Sequence, residues 1–183
     1  MNKEISRPVW VEINLNHVKH NYKKIKDNVS RETLIMAIVK ADAYGHGVIP
    51  VAKTLVEAGC DRLGVALPEE GEQLRKAGFT LPIHILGEVL PQQINKILDY
   101  NLIPTISKIE TVSKLNELAQ QKGIYKKVHI KVDTGMGRIG ILPKNAVKFI
   151  SKINGFSQIK IEGLISHFAK ADAANKEYTL KQW

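Results

Sequence analysis

Short runs rich in Ile, Val and Leu alternate with amphipathic helical runs along this chain, and that alternation leaves few folds open. The β-rich runs are Leu34–Val39, Arg62–Leu67, Ile83–Gly87, Leu102–Ile106, Val128–Asp133 and Ile161–His167. They are apolar nearly throughout, as strands covered on both faces should be. Between them, apolar residues recur at helical spacing, as in Leu15, Val18, Tyr22 and Ile25. Pro50, Pro91 and Pro143 stand where helices would begin, and Gly59, Gly78, Asn101, Gly123 and Gly155 where they would end. A βα repeat of this kind implies an α/β fold with a parallel sheet and right-handed crossovers. About six strands are predicted. An open doubly wound sheet could stop there, whereas a (β/α)8 barrel needs eight strands and about 250 residues.

Nothing in the chain suggests a linker or a second domain, so residues 1–183 read as one domain. The early run Val9–Leu15 precedes the repeat and reads as an opening strand whose partner could lie outside the main sheet. The last stretch, Ala173–Trp183, is mostly polar, with no cap or following strand. If the fold is a barrel, the chain is therefore expected to hold only part of it.

Apolar residues make up 44% of the chain and charged residues 25%, ordinary for a globular protein. No run approaches membrane-spanning length, and no signal-peptide core is present near the N-terminus. One cysteine, Cys60, rules out an internal disulfide and fits a cytoplasmic location. The net charge of +9 raises the question of nucleic acid. The basic residues are scattered along helix faces without interleaved aromatics, so neither nucleic acid nor membrane is the expected partner.

Chemistry collects at the ends of three predicted strands. Alternate residues share a strand face, which groups Met36, Ile38 and Lys40 in the first strand, His129, Lys131 and Asp133 in the fifth, and Gly163, Ile165 and His167 in the sixth. In α/β sheets and barrels the C-terminal strand ends carry the active site. A lysine amine there can form a Schiff base with a carbonyl compound. The segment after it, Ala41–Gly47, is a Gly-containing turn that carries Tyr44. A second motif, Gly135-x-Gly137-x-x-Gly140, has the spacing of a dinucleotide fingerprint. It lies late in the chain and lacks the acidic residue expected at the end of the next strand, where His167 stands. Its glycines are better explained as a tight turn that brings Arg138 back over the site.

The nine residues Val39-Lys40-Ala41-Asp42-Ala43-Tyr44-Gly45-His46-Gly47 resemble the pyridoxal-phosphate attachment motif of alanine racemases. Trp10–Leu15, Lys131–Gly140, and Ser166–Ala169 with Asp172 resemble further blocks of that family, in its order, so the resemblance covers essentially the whole chain. It implies a TIM-type (β/α)8 barrel, here partial, with the rest of the barrel and a C-terminal β-domain lying outside these residues. It implies pyridoxal 5′-phosphate as cofactor and no metal. It also implies interconversion of L- and D-alanine, which supplies cell-wall peptidoglycan, by a homodimer.

Roles follow from the same resemblance. Lys40 would carry the cofactor as an aldimine and exchange the α-proton on one face of the substrate. Tyr44 would bind the cofactor phosphate. Arg138 would sit near the cofactor's phenolic oxygen and bind the substrate carboxylate. His167 would lie against the cofactor ring, and Leu86 would line the pocket. Lys131 would be carbamylated and orient Arg138. A tyrosine base for the opposite face, an arginine near the pyridine nitrogen and later phosphate-binding amides cannot be assigned here, so this chain alone is expected to racemise little. Alternatives are a serine racemase or broad-specificity amino-acid racemase, a non-catalytic protein that binds pyridoxal phosphate on the same barrel, and an interaction protein without cofactor.

Overall fold

A computed structural model describes residues 9–183. The chain opens with α1 (Leu15–Asp27), capped by the Asn14 side chain, which accepts from the Asn16 N–H. Six βα units follow. Strands are β1 (Met36–Ile38), β2 (Arg62–Val65), β3 (Ile83–Glu88), β4 (Ile103–Ile106), β5 (Lys126–Lys131) and β6 (Ile159–Ile165). Helices are α2 (Lys40–Gly45), α3 (Val48–Glu57), α4 (Pro68–Lys76), α5 (Ile94–Asp99, after a 3₁₀ turn at Pro91–Gln93), α6 (Ile109–Gln121), α7 (Pro143–Ile153) and α8 (Glu177–Gln182).

All strand pairs are parallel and the sheet order is β1-β2-β3-β4-β5-β6, so neighbours in sequence are neighbours in space. The sheet is curled. Arg62 in β2 and Glu162 in β6 form an ion pair at 2.8 Å although three strands separate them in the sheet. Only a concave face can bring side chains from nearly opposite edges together. This is six strands of a parallel barrel, with β1 and β6 as its edges.

The core lies between the convex face and the helices. Leu63, Val65, Ile83, Ile85, Val128 and Ile130 point outward from the strands onto Leu74, Ile94, Ile97, Val112, Leu115 and Ala119, all essentially without solvent exposure. Alternation along each strand sends the other residues into the barrel interior. Gly71 in α4 has no room for a side chain, since a Cβ there would lie 2.8 Å from the Leu102 methyls. The helical layer thins beside β6. There Leu164 and Val147 are exposed, and Ile153 is the only α7 residue that is buried.

Several sequence expectations need adjustment. The opening strand expected at 9–15 is not formed: residues 9–14 have no regular structure and Leu15 begins α1. A strand requires a neighbour for its N–H and C=O groups, and no strand pairs with this segment among the described residues. The first strand is shorter than Leu34–Val39, and Lys40 begins the next turn instead of ending the strand. Asp133 and His167 fall just past β5 and β6, in loops. Glu162, expected at the start of its strand, is the fourth residue of β6, because the strand begins two residues earlier than predicted. The polar stretch after Ala173 contains α8.

Candidate active site

After β1 the backbone does something that sequence alone does not announce. Ala41, Asp42, Ala43 and Tyr44 all adopt left-handed helical geometry, with φ of 51, 53, 53 and 57°. None is glycine, and each such residue costs roughly 1–2 kcal/mol. Surrounding hydrogen bonds hold the turn. The Asp42 carboxylate accepts from the Val48 N–H at 2.7 Å, where it also meets the positive end of α3. His46 Nδ1 lies 2.9 Å from the Ala43 carbonyl. From the neighbouring unit, Glu70 accepts from the Ala41 N–H at 2.6 Å, from Ala66 at 2.7 Å and from Leu67 at 3.0 Å. One carboxylate thus ties the loop after β1 to the loop after β2. Strain held this firmly beside Lys40 fixes the position of that side chain.

The turn sets Lys40 and Tyr44 together, with the ammonium 5.8 Å from the ring centre. They line a cavity of about 430 Å3 at the C-terminal ends of the strands, which also receives Leu86 from β3, Lys131 from β5, Arg138 from the following loop and His167 from the loop after β6. Lys40, Tyr44, Leu86, Lys131, Arg138 and His167 thus share the wall of one cavity, whereas His129, Asp133 and Gly163, grouped with them by strand alternation, do not line it. Gly64 keeps the floor low, because a Cβ there would come within 2.7 Å of Ile38 and 3.2 Å of Leu86.

Charge in this cavity is unbalanced. Burial lowers the pKa of Lys131, and Arg138 lowers it further, against a smaller opposing pull from Asp133. Burial likewise lowers that of His167, followed by repulsion from Lys131, Arg138 and Lys40. The cations around His167 thus disfavour its protonated form. The site is built to receive negative charge.

The Gly135–Gly140 motif resolves into a loop around Asp133. Its carboxylate accepts from the N–H groups of Gly135, Gly137 and Arg138, each at 3.0 Å. Those backbone donors pull the Asp133 pKa down. The backbone donors that a dinucleotide phosphate would need are thus taken by an internal anion, and the loop's product is the placement of Arg138. Helix α8 clamps this loop to the end of β6. Gln182, 6% exposed, donates to the His167 carbonyl at 3.2 Å and to Thr134 Oγ1 at 3.4 Å, and accepts from the Ala169 N–H at 2.9 Å. The Tyr178 hydroxyl donates to the Gly135 carbonyl at 2.7 Å. Glu70 and Gln182 escaped sequence analysis. A faint signal for Glu70 existed, an acid three residues after Leu67 at a Pro-initiated helix start; for Gln182 there was none.

Beneath the cavity, the barrel interior holds a second polar group. Glu162 takes Arg62 at 2.8 Å, Lys127 at 2.7 Å and His129 at 3.3 Å. Burial would raise its pKa, but bonds from Lys127 and Arg62 prevail and hold it at about 2. Burial, then His129 and Arg62, lower His84 to about 3. His84, His129 and Glu162 place ligand atoms within 4.8 Å of one another, a spacing suited to a metal. The Arg62 guanidinium, 3.0 Å from His84 Nε2 and 2.8 Å from Glu162, already stands between them as the cation.

A partial parallel barrel whose strand ends bring a lysine, a tyrosine, an arginine and a histidine to one cavity defines an α/β-barrel protein with a cationic strand-end pocket. Comparison with known proteins narrows this. The profile of the alanine racemase N-terminal domain matches residues 13–183, and the chain belongs to that family. The alanine racemase of Halothermothrix orenii is 57% identical over all 183 residues, which span 48% of that protein. The structure of alanine racemase from Clostridium difficile 630 in complex with cycloserine superposes with a TM-score of 0.93 at 40% identity, covering 98% of this chain and 50% of that one. A histidine racemase from Leuconostoc mesenteroides superposes with a TM-score of 0.85 at 32% identity, over 92% of this chain and 45% of that one. The chain spans about half the length of the relatives it matches.

Proposed function

We propose that the protein carrying this chain interconverts L- and D-alanine, with pyridoxal phosphate held on Lys40. The observation that carries the reading is the convergence of Lys40, Tyr44, Arg138 and His167 on one cavity. The residues fit the cofactor chemically. A primary amine answers the aldehyde, and a phenol and a guanidinium answer phosphate, phenolate and carboxylate oxygens. An excess of positive charge answers an anionic cofactor and a carboxylate substrate. When bound, pyridoxal phosphate supplies a conjugated ring that draws electron density from the substrate α-carbon.

The side chains divide the remaining work. Tyr44 Oη would donate a hydrogen bond to the phosphate when the cofactor is bound. Arg138 offers its planar fork to the substrate carboxylate, in a position set by the Asp133 nest. The Lys40 amine takes the α-proton from one face, or returns it there. His167, whose protonated form its surroundings disfavour, would stand beside the ring. Leu86 fills the wall and sheds water from the reacting carbon. Lys131 presents an amine that burial and Arg138 disfavour as a cation. Addition of carbon dioxide to that amine, with release of one proton, gives a carbamate anion that pairs with Arg138 and removes the like-charge contact. The opposite-face base and the groups around the pyridine nitrogen are expected from the portion of the longer relatives that this chain does not span, with a homodimer completing the site. A cytoplasmic location completes this reading; among the described residues no helix is long and apolar enough to cross a membrane.

The test is the visible absorbance of the intact protein before and after borohydride, paired with racemisation assays. The wild type is expected to show a reducible band fixed to Lys40. Lys40→Ala is expected to lose both the band and at least roughly 10³-fold in rate. A band without racemisation would leave a non-catalytic cofactor-binding protein, and absence of any band would defeat the assignment. The likeness to a histidine racemase supports a second reading, a racemase of broader or different amino-acid specificity. The relative kcat/KM for alanine, serine and histidine separates them.

A further inference from the structure

At the end of the barrel opposite the candidate active site lies a cavity of about 380 Å3 lined by Arg75, Asn101, Lys126, Lys127 and Lys160, with the Thr80 hydroxyl at its edge. No carboxylate is on its wall. Its cations are not equivalent. Arg75 commits four of its five N–H donors to main-chain carbonyls of Phe79, Leu81, Tyr100 and Asn101, so it contributes mainly charge. Lys127 is paired with Glu162 at 2.7 Å. Lys126 is different. Its residue is 3% exposed, yet it has no ion-pair partner among the described residues. Its ammonium makes one hydrogen bond, to Asn101 Oδ1 at 2.9 Å.

A buried ammonium without a counter-ion is costly. Three N–H groups need acceptors, and one amide oxygen supplies one. Lys160 adds a cation at the cavity rim. We infer that this basic cavity binds a phosphate-sized oxyanion, with Lys126 as its principal donor and Lys160 closing the contact from β6. The ligand would sit at the N-terminal ends of β3 to β6 and remain separate from the cofactor cavity, which opens at the other end of the same strands. Burial, with Arg75 nearby, brings the Lys126 pKa down to about 8; an arriving anion would restore the charged form. The inference does not depend on the proposed racemase activity.

The experiment is thermal unfolding of the intact protein, saturated with cofactor so that the other phosphate-binding position is filled. Inorganic phosphate is titrated against sodium chloride at equal ionic strength. Phosphate at about ten times its dissociation constant is expected to raise the midpoint by about 2–4 °C, with a further rise that grows as the logarithm of concentration. Lys126→Met is expected to abolish the phosphate-specific rise while leaving the phosphate-free midpoint equal or higher, because it removes an uncompensated buried charge. Lys160→Met should weaken the rise and serves if the first variant does not fold. A rise no larger than chloride gives, or an equal rise in the Lys126→Met or Lys160→Met protein, overturns the inference.

Discussion

Lys126 makes a prediction through pH alone. Its amine is harder to protonate when folded, at about 8, than at its ordinary value of 10.5. The unfolded chain therefore binds this proton more tightly. The residue costs stability in full below about 8, and the cost fades as pH rises from there toward 10.5. Cys60 runs the other way: burial and then Asp61 push its thiol up to about 11, so it loses stability over part of the same range. The difference between wild type and Lys126→Met isolates the lysine. Urea unfolding from pH 7 to 10.5 is expected to show the variant's advantage shrinking as pH rises; a constant difference would contradict the burial argument. At this scale the sequence was informative wherever a residue type is rare for its setting. Lys40 after an apolar run and Tyr44 and Arg138 beside glycines stood out. Glu70 did not, because its meaning lies in an N–H 29 positions away. Gln182 is legible only once its partners 13 to 48 positions away are known.

Among the elements, two loops carry the candidate site, and both depend on backbone geometry that few residues tolerate. Gly140 has φ of +131°, and a Cβ there would sit 2.7 Å from the Asp133 nitrogen. Backbone cannot yield as a flexible side chain can. Gly140→Ala is therefore expected to destabilise by more than about 2 kcal/mol, and to weaken substrate binding more than a surface substitution of equal stability cost would. The observables are a denaturant midpoint and KM. An unchanged KM in folded variant protein would separate the loop from Arg138 placement. The strands were readable because covered strands are apolar nearly throughout, and their ends were misjudged by up to two residues because hydrogen bonding, not side-chain character, terminates them. The left-handed turn at Ala41–Tyr44 was not readable at all. Four consecutive non-glycine residues with positive φ contradict local preference, and only the acceptors Asp42 and Glu70 make the conformation hold.

For the whole molecule, the open sheet sets the behaviour. Leu164 on β6 is 60% exposed and Ile38 on β1 is 40% exposed, and each belongs to an edge strand. Unpaired parallel edges with apolar neighbours invite association. The 183-residue chain expressed alone is expected to sediment as oligomers, and Leu164→Lys to shift it toward monomer. A monodisperse wild-type monomer would refute this. The βα alternation predicted the architecture well, since each unit announces itself. The curl of the sheet was beyond it, because the Arg62–Glu162 pair that reports it joins residues 100 positions apart.

The strand order β1 to β6 also bears on how the protein is made. Because each strand adds beside the one just before it, a chain leaving the ribosome can lay down the sheet in the order of its synthesis, with no earlier strand waiting for a distant mate. The border that advances is then always the youngest strand, while the β1 border stays the same from the start, so a pause in translation exposes one new adhesive border beside a constant one.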